Sequence, residues 1–141
     1  MLRAVRPGGL AVIEDIDFGG YFCHPPCEGF DAYVRLYRTA AGRHGADADI
    51  GPKLYGMLLD AGWREVKVNV IQPAFASGEG KQIAVLTLIN IADSLLDEKL
   101  VTAPELQSVI DDLTRFTDDP RTLISLPRVF QLWGRRERLM A

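Results

Sequence analysis

Pro7-Gly8-Gly9-Leu10-Ala11-Val12-Ile13-Glu14-Asp15-Ile16-Asp17 is the stretch on which the fold turns. A proline and two glycines open it, four apolar residues follow, and acidic residues close it. A short apolar run bounded in this way predicts a strand over residues 10–13 buried on both faces, the pattern of a parallel sheet. Such a strand needs neighbours on both edges. It begins only ten residues into a chain of 141. Just upstream, Leu2 to Arg6 reads as the last turn of a helix ending at the proline and the glycine pair.

Outward from that strand, residues 18–28 are rich in glycine and proline and predict a loop. A helical pattern follows from about Phe30, with Tyr33, Val34 and Tyr37 on its apolar side. A second helix is predicted near Ile50, with Asp49 as its N-cap and Pro52 in its first turn. Leu54, Leu58 and Ala61 line one face beside Met57, and Gly62 suits the position just past its end. From Trp63 to Gln72 the residues alternate, with Val66, Val68 and Val70 against Glu65, Lys67 and Asn69. That predicts a strand with one wetter face, stopped by Pro73. Ala76 to Gly80 is a connection.

Residues 81–98 contain the strand-like run Ile83-Ala84-Val85-Leu86, but Thr87, Asn90, Ser94 and Asp97 recur every three or four positions. Helix is the better reading. Another helix opens at Thr102-Ala103-Pro104-Glu105, a capping-box pattern, and carries Leu106, Val109, Ile110, Leu113 and Phe116 on one stripe. Asp118-Asp119-Pro120 stops it. Ser125 to Gly134 reads as a closing strand, before the charged run Arg135-Arg136-Glu137-Arg138. The order is β-α-α-β-α-α-β, and three strands make a poor doubly covered sheet.

Hydrophobic residues make up 48% and charged residues 25%, which supplies a core and excludes disordered and fibrous classes. Sixteen basic against nineteen acidic residues leave a net charge of -3, so no nucleic-acid partner is expected. The longest apolar run, Ile83 to Ile91, includes Thr87 and Asn90 and falls short of the roughly 20 residues that cross a bilayer, so no membrane partner is expected. Pro7, Gly8 and Gly9 interrupt any signal-peptide pattern. Cys23 and Cys27 do not make a disulfide framework. A cytoplasmic protein is the expectation.

Leu2-Arg3-Ala4-Val5-Arg6-Pro7-Gly8-Gly9 with the strand after it resembles the segment entering the fifth strand of Rossmann-like class I S-adenosylmethionine-dependent methyltransferases. Asp49-Ile50-Gly51, with Leu58-Leu59-Asp60-Ala61-Gly62-Trp63, is similar to the helix and turn before the sixth strand of that family. Val129 to Arg136 is similar to its closing strand. The resemblance implies an α/β fold: the C-terminal part of a Rossmann-like methyltransferase sheet, with the last strand antiparallel between the other two. It implies one partial domain over residues 1–141, with 74–122 as a helical insertion serving as a lid or a subunit contact. The parent enzyme would use S-adenosylmethionine to methylate a small molecule. The family's Gly-x-Gly-x-Gly loop and ribose-binding acid are missing here, so no cofactor is expected on this chain and the chain alone is expected to be inactive.

Glu14, Asp15 and Asp17 crowd the end of the first strand, where open α/β sheets place ligands. Asp15, Asp17, Tyr21, His24 and Tyr37 are therefore the substrate-pocket candidates, although Tyr33 and Tyr37 also read as core through their spacing with Phe30. Cys23, His24 and Cys27 are metal-ligand types without a distant fourth, and no metal is expected. The second functional reading is a non-enzymatic interaction module whose exposed first strand and insertion helices pair with another copy or a partner subunit; on the methyltransferase reading the partner would be a missing N-terminal half. An unpaired apolar strand edge is prone to association, so a homo-oligomer is expected.

Overall fold

The structure, a computed structural model, describes residues 4–137. Part of the helix end read at Leu2–Arg6, and the end of the charged run at Arg138, lie outside the described residues. Along the chain come β1 (Leu10–Asp17), β2 (Cys23–His24), α1 (Glu28–Arg43), α2 (Leu54–Asp60), β3 (Trp63–Ile71) and β4 (Ala74–Phe75). They are followed by α3 (Glu79–Asn90), α4 (Ala92–Asp97), α5 (Ala103–Asp118), β5 (Leu123–Ser125) and β6 (Arg128–Arg136). Short 3-10 turns occupy Phe18–Gly20 and Gly51–Lys53.

The strands form two separate three-stranded sheets. The long strands lie in the order β1-β6-β3 and the short ones in the order β2-β5-β4, with every neighbouring pair antiparallel. This overturns the expected continuation of a Rossmann-like methyltransferase sheet, which is continuous and mixed. The closing strand expected over 125–134 is also divided. Leu126 turns its N–H to the Pro73 carbonyl at 2.8 Å, and Pro127 has no N–H to extend a ladder. β5 and β6 therefore end up in different sheets.

β1 is not buried on both faces. Its residues alternate: Ala11 and Ile13 pack beneath α2, while Leu10 is 51% and Val12 65% exposed. The helix expected over 81–98 breaks at Ile91 into α3 and α4. Asp49 does not cap a helix. It accepts the Gly19 N–H at 2.9 Å and pairs with Arg38, and the turn ahead of α2 has Ile50 at its cap without a side-chain bond.

The larger core is helical. α1 contributes Phe30, Tyr33, Leu36 and Ala40, α5 contributes Leu106, Leu113 and Phe116, and α3 contributes Ala84, Val85 and Leu88. Leu95 and Ile124 complete its centre. The capping box reads true at α5, where the Thr102 N–H donates to Glu105 Oε2 at 2.9 Å and the Thr102 hydroxyl at 2.6 Å. Full burial of each large apolar side chain contributes about 1.5–3 kcal/mol, so this layer holds most of the hydrophobic stabilisation. The smaller core lies under α2, where Leu54, Leu58, Trp63 and Leu132 are buried against Ala11, Ile13, Val66 and Phe130. α2 stops at Gly62, whose φ of 83° turns the chain back into β3.

Candidate functional site

The five sequence-selected residues do not converge. Asp17 is buried at the end of β1, where its Oδ1 accepts the Gly19 N–H at 2.9 Å and its Oδ2 lies 2.5 Å from Arg128 Nη2. Asp17 and Arg128 are register partners, so this ion pair ties β1 to β6 and shapes the turn after β1. Gly20 lets the Arg128 side chain pass, since a Cβ there would sit 1.9 Å from its Nε. Asp15 is exposed and its carboxylate accepts the neighbouring Ile16 N–H at 2.8 Å. His24 is exposed on β2 opposite Leu123.

Tyr21 and Tyr37 do meet through Phe18. Tyr21 stands edge-on to Phe18 at 5.3 Å and to Phe30 at 4.9 Å, and Tyr37 stacks on Phe18 at 4.2 Å. These contacts are those of a core. Burial pushes the Tyr21 hydroxyl far above its ordinary value, and Tyr33 adds to the rise. Burial likewise lifts Tyr33 to about 12. Burial thus favours the neutral form of both phenols.

Burial, then the neighbouring Cys27, pushes Cys23 up to about 11, and burial also raises Cys27. Cys27 precedes α1, and Asp112 of α5 accepts the Gly29 N–H at 2.7 Å and faces the Cys27 thiol at 3.4 Å. Asp112 thus caps α1 from another helix, a role no local sequence pattern announces. It borders an open depression of about 570 Å³ whose lining includes Glu28, Asp31, Arg35, Ser108 and Arg115. Among the described residues there is no group of three or more His, Cys, Asp or Glu side chains placed to hold a metal ion.

The exposed apolar surface is more informative than any pocket. Leu10, Val12 and Glu14 occupy the face of the long-strand sheet opposite α2, beside their register partners Arg135, Trp133 and Gln131. A polar ladder crosses that face, from Asn69 to Gln131 at 2.8 Å and from Gln131 to Glu14 at 3.0 Å. The two outer edges of this sheet differ. β3 carries a register shift between Arg64 and Lys67 and a left-handed Glu65 at φ 51°, which together with its charges blunts the edge. β1 pairs with β6 without a shift from Leu10 to Asp17, and among the described residues no strand pairs with its other edge.

α3 adds a second exposed stripe, with Ile83, Leu86 and Ile89 at 36%, 54% and 49% exposure while Ala84, Val85 and Leu88 fill the core. The consecutive run Ile83-Ala84-Val85-Leu86 carried that signal, because four apolar residues in a row on a helix cannot all face one side.

A scan against protein-family models finds no match, and a search of curated proteins finds none either. Together with the two antiparallel sheets, this corrects the reading of the chain as part of a methyltransferase acting on a small molecule. Among the described residues no helix is long and apolar enough to cross a membrane.

Proposed function

We propose that this chain is a self-association module that joins a second copy of itself through the long-strand sheet. The observation that carries this reading is the outer edge of β1, unpaired among the described residues and bearing Leu10 and Val12 at 51% and 65% exposure. A long, straight strand edge with apolar side chains is a template for pairing with another chain. Cross-strand apolar pairs contribute roughly 0.2–1 kcal/mol each, so a few of them give a dimer that dissociates on dilution. A second copy suits the edge because it brings the same row of unused backbone groups. We place the module in the cytoplasm, a location supported by Cys23 and Cys27 being free thiols.

The test is light scattering coupled to size-exclusion chromatography over a hundredfold range of loading concentration. The expected result is a mass that moves from one copy towards two as concentration rises. A mass of one copy throughout would refute the proposal.

A further inference from the structure

The backbone at the β1 edge specifies more than a sticky surface; it specifies a register. The Gly8 N–H donates to the Arg136 carbonyl at 2.8 Å, and the Arg136 N–H donates to the Gly9 carbonyl at 2.9 Å. In an antiparallel ladder the bonded pairs then recur every second residue, which assigns Ala11, Ile13, Asp15 and Asp17 to β6. The even-numbered residues turn their N–H and C=O groups outward. The far end of the strand agrees, since the Ile16 N–H goes to the carboxylate of the preceding residue, Asp15, and the Phe18 N–H to the Ala48 carbonyl at 3.0 Å.

Two of the outward N–H groups are therefore already used. Those of Leu10, Val12 and Glu14 are the ones left for a partner, and Val12 lies at their centre. Resting on the self-association reading, we infer that two copies pair β1 to β1 antiparallel across a two-fold axis at Val12. Each Val12 then exchanges both backbone bonds with its counterpart, and Leu10 of each copy does so with Glu14 of the other. The result is one six-stranded antiparallel sheet.

Charge favours this register. A centre at Glu14 sets Glu14 against itself, and a centre at Asp15 sets Asp15 against itself. With the centre at Val12 each Glu14 faces a leucine instead. The register partner of that leucine on the same face is Arg135, so each acid has a guanidinium one strand beyond, within reach of two long side chains. The apolar groups also align, because Val12 is paired with Trp133 in its own sheet. The open face then carries the row Trp133, Val12, Val12 and Trp133 across the axis.

The experiment is amide hydrogen exchange by NMR on the unmodified protein, at a dilute and a concentrated sample, beside sedimentation at the same two concentrations. The expected result is a dimer in the concentrated sample, with exchange at Leu10, Val12 and Glu14 slowed about tenfold or more. Ala11 and Ile13 stay protected in both samples, and Ile16 is unchanged. A dimer in which Leu10, Val12 and Glu14 exchange as fast as in the dilute sample overturns the β1 pairing while leaving self-association through another surface, such as the α3 stripe. A monomer at both concentrations overturns self-association itself.

Discussion

In the helical layer the inner faces of α1, α3 and α5 cover one another, while α3 leaves Ile83, Leu86 and Ile89 exposed on its outer side. α1 lays Phe30, Tyr33 and Leu36 against α5 and α3, and Leu88, Leu95 and Leu113 are fully buried. In the long-strand sheet α2 covers one side through Leu54 and Leu58, and the opposite side leaves Leu10, Val12 and Ile71 in water. Helices of 16 residues such as α1 and α5 bury a whole stripe within the chain. A three-stranded sheet with one seven-residue helix on it does not. On the proposed dimer, stability and association are separated in space, the first residing in the helical layer and the second at the sheet.

The largest expected effect tests that separation. Leu113→Ala should destabilise the fold by about 4 kcal/mol, near the upper part of the range for a buried leucine. Leu132→Ala, in the thinner core under α2, should cost about 2–3 kcal/mol because the site can relax towards water. Urea unfolding of both variants checks the order. Equal losses would show that the sheet is as tightly packed as the helices.

A smaller effect concerns the cap shared by α1 and α5. Burial acts to raise the Asp112 carboxyl, but the Gly29 N–H, the Cys27 thiol and Arg115 outweigh it and hold the group below its ordinary value. A depressed folded value means the stabilisation is present above the unfolded value of about 4 and is lost as pH falls through the folded one. Asp112→Ala should cost about 1 kcal/mol at pH 7, as loss of an N-cap does. The gap in Tm between it and the unmodified protein should close in melts taken below pH 4. A gap that persists in acid would place the effect in packing instead.

The smallest expected change in stability comes from the sheet's open face. Val12→Ser should alter unfolding free energy by no more than about 0.5 kcal/mol, as exposed substitutions do. Its association should nevertheless weaken, read as a shift of the dilution midpoint to higher concentration. A loss of several kcal/mol would mean Val12 is covered within its own copy.

The helical layer was largely legible in the sequence. The box at Thr102 and Glu105 and the stripe through Leu106, Leu113 and Phe116 are local patterns enforced by local backbone chemistry. The sheet was less legible, because whether Leu10 and Val12 are covered depends on segments distant in sequence. The split between β5 and β6 rests on a bond from Leu126 to Pro73, and Asp49 serves Gly19 and Arg38 rather than its own helix. Such long-range partners leave no periodic trace. Of the candidate site, the acids and tyrosines were found by residue type, but Asp17 proved to be the partner of Arg128 and Tyr21 a core residue.

The two edges of the long-strand sheet allow the most direct test. The Val12 N–H faces outward from β1, and by the same alternation the Val68 N–H faces outward from β3, so proline at either position spares the bonds to β6. Sedimentation velocity of Val12→Pro and Val68→Pro, each first shown by circular dichroism to be folded, should give a monomer for the first and unmodified dimerisation for the second. Dimerisation that survives Val12→Pro, or is lost in Val68→Pro alone, would contradict the assignment of association to β1.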